Sequence, residues 1–234
     1  MLQQLREEVL EANLEVVRRG LVLYTFGNVS GISREGGLVV IKPSGVPYEK
    51  MKPSDLVIVD LDGKTVEGTL RPSSDMPTHI LLYKAFPQIG GVVHTHSRAA
   101  TAWAQARQPI PCFGTTHADY FYGPIPVTDP LSKAETEGDY ESTTGHAIVR
   151  TIGSQNPLDM RAILVANHAP FSWGKTPTEA AQLAVILEEV ANLALQTVTV
   201  NPKAKPIDQS LLDKHFLRKH GADAYYGQPS LDIL

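Results

Sequence analysis

Apolar residues at Leu2, Leu5, Val9, Ala12, Val16 and Val17 recur near the helical repeat, and Gly20 follows, so the pattern predicts an amphipathic helix over 3–19. From Leu21 to Gly68 the texture changes to short β-prone runs with turn residues between them. "LVVIKPSG" and "LVIVDLDGKTVEG" are the clearest, and Asp62-Gly63 marks a hairpin within the second. In "SSDMPTHILLYKAF" a helix opens at Pro77, a first-turn position where the missing N–H has no intrahelical partner to lose. A strand over 91–96 and an alanine-rich helix near 98–107 complete that unit. Residues 108–130 are rich in proline and aromatics and read as irregular. "SKAETEGDYESTTGHAIVRTIG" starts as a solvated acidic loop and turns helical near its end. "RAILVANHAPFSWG" reads as a buried strand, a turn and a second short strand. Thr176-Pro177-Thr178-Glu179 forms a capping box for a helix to about Thr199, with Ala180, Leu183, Ile186, Leu187 and Val190 toward a core. The linker "NPKAKP" leads to a last helix, "DQSLLDKHFLRKH", closed by Gly221, and the tail "ADAYYGQPSLDIL" has no periodicity.

Strands grouped in the middle, with helices before, between and after them, predict one α/β domain over 1–234 whose hairpins make the sheet largely antiparallel. No repeat or composition break divides it. With 42% hydrophobic and 20% charged residues the chain has enough apolar material for a sizeable core. A formal charge of −4 argues against a nucleic-acid partner, which would favour a basic stripe. Cys112 is the only cysteine, so no intrachain disulfide is available, in keeping with a reducing compartment. Lying between prolines and an aromatic residue, it reads as a small buried hydrophobe. The first twenty residues carry mixed charges and no apolar h-region, and no apolar run reaches the roughly 18 residues that a membrane crossing needs. The expectation is therefore a cytoplasmic protein with no membrane partner.

Chemistry enters at "GGVVHTHSRAATAW". In an extended segment His94 and His96 share a face, with Thr95 opposite. That leaves two readings, a metal pair or a polar strand end. His168, ending an apolar strand, "AILVANH", at the edge where a side chain can turn toward a cleft, is the natural third ligand, and Asp75 is the leading carboxylate. Three neutral imidazoles and one carboxylate suit zinc or another borderline divalent ion better than magnesium. Four protein ligands would equally make a closed structural site. The stretches "GNVSG", "KPSG" and "PSSD" combine small residues with hydroxyl and amide groups that let backbone N–H groups approach an anion. Taken singly, each is also an ordinary turn. The spacing excludes a nucleotide P-loop. Asp119, in "TTHADYFYG", is either an acid or base whose pKa an aromatic setting would raise, or the cap of a turn among packing aromatics. The C-terminal "LLDKHFLRKHGADAYYG", with His215 and Arg218 on one helix face, is either a solvated basic surface or a cover for a neighbouring subunit's site.

Taken in order, "GNVSG", "IKPSGV", "PSSDMPTH", "GGVVHTHS", "GTTHADYFYG", "WGKT" and "LLDKHFLRKHGADAYYGQ" resemble the class II sugar-phosphate aldolase superfamily. "HADYFYG" and the C-terminal "YYGQ" point to its L-ribulose-5-phosphate 4-epimerase branch rather than to the aldolases. The resemblance runs from residue 1 to Gln228 and leaves "PSLDIL" as an extension. It implies a three-layer α/β/α fold with a central, mostly antiparallel sheet. It implies a divalent ion (Zn2+, or another transition metal such as Mn2+ or Co2+) held by His94, His96 and His168 with Asp75. Phosphate contacts are implied at Asn28, Lys42, Ser44, Gly45, Ser73 and Ser74. Asp119 and Tyr226 match the proton-transfer residues and His215 a helper, while Thr115 and Glu141 lie near the site. Tyr226 and His215 would cross, within segment 207–234, into the neighbouring subunit's site of a cyclic homotetramer.

The implied reaction is interconversion of L-ribulose 5-phosphate and D-xylulose 5-phosphate at C4, by retro-aldol cleavage, rotation of glycolaldehyde phosphate and re-addition. Arabinose catabolism is one setting, and epimerases of ascorbate-derived sugar phosphates carry nearly the same motifs. The competing expectations are an aldolase that releases its aldehyde from a phosphorylated L-sugar, a non-enzymatic assembly domain like the adducin head, and a zinc hydrolase. The hydrolase lacks an obvious water-activating glutamate.

Overall fold

Val39 and Ile41 enter one apolar cluster while Val40 between them enters another; the same division separates Val57 and Val59 from Ile58, and Val92 from Val93. Alternation with both sides apolar dictates a sheet covered on both faces. The computed structural model, which describes residues 2–226, has that architecture; Gln228 and the extension after it lie outside the described residues. The strands are β1 (Asn28–Ser33), β2 (Leu38–Ile41), β3 (Val57–Asp60), β4 (Thr65–Glu67), β5 (Gly91–His94), β6 (Ala162–Leu164) and β7 (Pro170–Gly174). They form one sheet in the order β4-β3-β2-β1-β5-β7-β6, with every neighbouring pair antiparallel.

On one face lie α2 (Met76–Ala85), α6 (Tyr140–Ile152) and the short α7 (Pro157–Met160). Their Leu82, Tyr83, Ile148 and Met160 join Val39, Val57, Phe171 and Trp173 in the largest apolar cluster. The other face is covered by α1 (Leu2–Arg18), α3 (Arg98–Ala106) and α8 (Pro177–Val200). There Val16 packs with Val29 and Val93, Val9 with Val40 and Ile58, and Leu187 with Ala100 and Leu164. The three-layer expectation holds. Gly91 is needed where α8 meets the sheet, because a Cβ there would lie 2.5 Å from Cα of Pro177.

Several expectations need correction. The acidic "SKAETEG" is not a loop but a short helix, α5 (Lys133–Glu137), closed by a reciprocal box in which Ser132 and Glu135 exchange backbone bonds. The irregular 108–130 stretch contains α4 (Thr115–Ala118). At Thr176 the hydroxyl caps Glu179 N–H at 3.1 Å, but the Glu179 carboxylate accepts from Lys175 N–H instead, at 2.6 Å. Pro177–Val200 does have the length and composition to cross a membrane, contrary to the expectation. Here it is a core helix: Ala180, Leu183, Leu187 and Val190 are buried, and the Glu188 carboxylate accepts from Ala99 and Ala100 N–H at 2.7 and 3.0 Å. The last helix, α9 (Gln209–His220), lies against α4. Cys112 is buried as expected, and burial pushes its thiol up to about 11.

Candidate active site

His94 is the last residue of β5, paired in register with Asn28 of β1 on one side and Phe171 of β7 on the other. Phe171 stacks on its imidazole, with ring centroids 4.2 Å apart and planes 20° from parallel. Nδ1 of His94 donates to the Pro170 carbonyl at 3.0 Å, which fixes the tautomer and turns the Nε2 lone pair outward. The strand ends at His94 rather than at residue 96, yet His96 returns to the same side, its Nε2 lying 3.2 Å from that of His94.

His168 does not end a strand. β6 stops at Leu164, and His168 sits in the turn to β7, just after Asn167, which adopts φ of 62°. Its ring centroid is 4.9 Å from that of His94 and 5.1 Å from that of His96, and one nitrogen from each ring lies within 4.8 Å of the others. Burial, with the neighbouring imidazoles, pushes His168 down to about 4 and lowers His96 as well. Neutral rings with converging nitrogens are the donor set that a borderline divalent ion takes. The trio fits a metal.

Asp75 caps the start of α2 and faces the same cleft, but it lies outside the tight trio. Its Oδ2 accepts from Asn28 Nδ2 at 2.6 Å. Burial pushes its pKa up, but His94, His79 and the Asn28 bond outweigh this and hold the carboxyl below its usual range.

The anion candidates sit at the start of β1, in the loop after β2 and in the turn before α2. Ser73 N–H donates to the Lys42 carbonyl and Ser44 N–H to the Arg71 carbonyl, both at 2.9 Å, zipping the "KPSG" and "PSSD" turns together. Gly45 supplies a φ of 68° there. Lys42 is 1% exposed, and among the described residues its Nζ meets only the carbonyls of Thr25 and Pro43, at 3.4 and 3.3 Å, and the Tyr48 ring at 4.6 Å. Burial without a carboxylate partner lowers its pKa to about 8. Asn28 donates to Ser73 Oγ at 3.0 Å while its own buried Oδ1 has no partner. The four metal candidates, Asn28, Lys42, Ser44, Gly45, Ser73 and Ser74 all line one cleft of about 550 Å³, as does Glu141.

Asp119, His215, Thr115 and Tyr226 do not line that cleft in their own chain. They gather where α9 crosses α4. Asp119 Oδ1 lies 2.9 Å from His215 Nδ1 and 2.9 Å from Arg218 Nη2. Lys219 Nζ is 3.5 Å from Oδ2. Thr115 contributes its carbonyl, which accepts from Asp119 N–H at 2.9 Å. The Tyr226 ring is 60% exposed, facing Arg218 at 5.0 Å and Lys219 at 4.2 Å. Burial pushes the Asp119 pKa up, but hydrogen bonds from His215 and Arg218 and the charge of Lys219 win. The carboxyl is held below its usual range, against the raised-pKa alternative.

Sequence reasoning missed three contributors. Tyr140 places its hydroxyl 3.2 Å from Nδ1 of His168. His79 is fully buried, with Nδ1 2.6 Å from Ser30 Oγ, which in turn lies 2.8 Å from the Tyr83 hydroxyl. Burial pushes His79 down to about 3, so it is a neutral dipole beneath the cleft. Its spacing four residues after Asp75, inside "PSSDMPTH", was the available signal. Lys219 was the third, legible only once α9 is seen on α4.

Residues 7–195 match the family described as Class II Aldolase and Adducin N-terminal domain. Over 227 residues, 97% of this chain and the whole of each relative, the sequence is 56% identical to L-ribulose-5-phosphate 4-epimerase UlaF of Salmonella paratyphi B and of Salmonella typhi. Among solved structures the fold is similar to L-fuculose 1-phosphate aldolase, with a TM-score of 0.76, 23% identity, and coverage of 91% of this chain and 94% of that one.

Proposed function

The chain belongs to the Class II Aldolase and Adducin N-terminal domain family, and on that premise we propose that it is an L-ribulose-5-phosphate 4-epimerase, interconverting L-ribulose 5-phosphate and D-xylulose 5-phosphate. One observation carries the reading: a buried lysine without a counter-charge among the described residues and three imidazoles with converging nitrogens open into the same cleft. A sugar phosphate bearing a carbonyl offers each of them its complement.

The C4 hydrogen of a pentulose is not adjacent to the C2 carbonyl, so enolisation cannot invert C4. Its hydroxyl is β to that carbonyl, so a retro-aldol step can. A base takes the proton of the C4 hydroxyl, the C3–C4 bond breaks, and its electron pair passes into the enediolate of dihydroxyacetone, leaving glycolaldehyde phosphate. After the aldehyde rotates, the C3–C4 bond re-forms on its opposite face, and an acid returns a proton to the C4 oxygen. His94, His96 and His168 would hold the divalent ion (Zn2+, Mn2+ or Co2+), with Asp75 beside them; bound there, it supplies Lewis-acid stabilisation of negative charge on the carbonyl-bearing fragment.

Lys42, with Asn28, Ser44, Gly45, Ser73 and Ser74, binds the phosphate and keeps the aldehyde from leaving while the bond is open. Asp119, ionised across the neutral range, and Tyr226 carry protons on the two faces, assisted by His215. Because that group lies away from the chain's own cleft, we assign it to the neighbouring subunit's site in a homotetramer. The cytoplasm is the proposed compartment, supported by the single, unpaired Cys112.

The test is interconversion of the two pentulose phosphates in the presence of isotopically labelled dihydroxyacetone. We expect product without label and no free glycolaldehyde phosphate. Label in the product, or accumulating aldehyde, would establish an aldolase instead. Near-native turnover in both Asp119→Asn and Tyr226→Phe would remove the proton-transfer assignment.

A further inference from the structure

Among the basic residues of α9, Arg218 touches both proposed proton-transfer groups in three different ways. Its Nη2 lies 2.9 and 3.0 Å from the two Asp119 oxygens, and its Nε lies 3.3 Å from Oδ1. Its backbone carbonyl accepts from both Tyr225 and Tyr226 N–H at 3.0 Å. Its guanidinium also faces the Tyr226 ring at 5.0 Å. We propose that Arg218 is a positioning residue that locks the Asp119 carboxylate and the Tyr226 phenol into one unit, so that both proton-transfer groups enter the cleft in fixed register. This rests on the epimerase reading above.

The rest of the cluster is arranged so that this register depends on Arg218. α9 is pinned to α4 independently: His220 Nε2 donates to the Asp119 carbonyl at 2.9 Å, and the Arg161 guanidinium, paired with Glu179 at 3.1 Å, lies 3.2 Å from His220 Nδ1. The backbone of Asp119 therefore has its own anchor. Among the described residues its side chain is held by His215, Arg218 and Lys219. Past Gly221 the chain has left the helix, and Tyr226 is exposed, with its ring facing the Arg218 and Lys219 charges.

A planar guanidinium can present its edge to a carboxylate and its face to an aromatic ring at once; an ammonium group can supply the charge but not the shape. Basic residues at a helix C-terminus also favour the helix dipole. A dipole partner, however, would need neither the fork on Asp119 nor the ring contact.

The experiment uses the metal-loaded full chain and compares Arg218→Gln, Arg218→Lys and Lys219→Gln by steady-state kinetics in both directions across pH, with metal content and melting temperature measured alongside. For Arg218→Gln we expect kcat to fall about 100-fold with KM nearly unchanged, the loss seen when a reacting group is misplaced by about an ångström. The acidic limb of kcat should move to higher pH, because Asp119 keeps His215 and Lys219 but loses its closest permanent cation. Arg218→Lys should leave that limb near its native position yet still lower kcat, about tenfold, because the fork is gone. Lys219→Gln should have the smaller effect of the two Gln variants.

Native kcat in Arg218→Gln would overturn the proposal, and so would a lost kcat with an unmoved acidic limb. Should Arg218→Gln fail to fold, Arg218→Lys decides: lowered kcat at native KM supports the proposal, and native kcat overturns it. A wild-type protein that does not interconvert the pentulose phosphates sinks the epimerase reading itself. An active wild type with indifferent Arg218 variants sinks only the positioning role.

Discussion

Replacing Lys42 by methionine separates the stability of the fold from the function of the cleft. The ammonium is 1% exposed, has two carbonyls and one aromatic ring for company, and meets no carboxylate. Burial therefore lowers its pKa from 10.5 to about 8. That difference corresponds to about 3 kcal/mol of destabilisation when the group is charged. The folded state binds this proton less tightly than the unfolded chain does. The full penalty is therefore carried below the folded pKa of about 8, and stability rises as pH climbs from there toward 10.5. The contact with the Tyr48 ring returns about 1 kcal/mol. Lys42→Met should thus stabilise the ligand-free protein by about 2 kcal/mol near neutral pH, a rise of about 4–8 °C in Tm for a chain of this size. Inorganic phosphate should raise the Tm of the wild type and leave the variant unmoved, because the anion supplies the counter-charge that the fold withholds. Thermal melting near pH 7 and near pH 9.5, with and without phosphate, reads all of this. A variant that melts below the wild type near pH 7, or that gains equally from phosphate, would refute the reasoning.

Tyr140→Phe removes the hydroxyl beside His168 Nδ1 and should weaken metal binding by about 10–100-fold; competition against a chromophoric chelator would show it, and unchanged affinity would contradict it. Gly91→Ala drives a Cβ to within 2.5 Å of the Pro177 backbone, where α8 starts, and should cost about 3 kcal/mol. Denaturant unfolding measures that loss, and an unshifted midpoint would mean the helix can retreat from the sheet.

What the sequence disclosed was mostly local. Val39-Val40-Ile41 and Val57-Ile58-Val59 alternate between two apolar clusters, and a period of two is visible in any short window. His94 and His96 share a face for the same reason. The Ser132/Glu135 box was also local, but the acidic composition around it obscured the helix. His168 was identified but misplaced: the strand stops at Leu164, and His168 follows a left-handed Asn167 in the turn to β7, from which it lines the cleft. The charge state of Asp119 was hidden for a different reason. Its aromatic neighbours in sequence suggest a raised pKa, while the groups that lower it arrive from α9, nearly a hundred residues later. Lys42 could be recognised as a basic residue in a turn, but that no carboxylate would meet it is a property of the folded chain.

On the proposed mechanism, turnover requires one ion held by His94, His96 and His168 in the cleft assigned to the sugar phosphate. The most direct measurement strips the purified protein of metal and follows conversion of L-ribulose 5-phosphate to D-xylulose 5-phosphate while Zn2+ is added back in steps. No conversion is expected in the stripped protein, with full recovery at about one ion per chain and no recovery in His96→Asn. Native turnover by metal-free protein would contradict it.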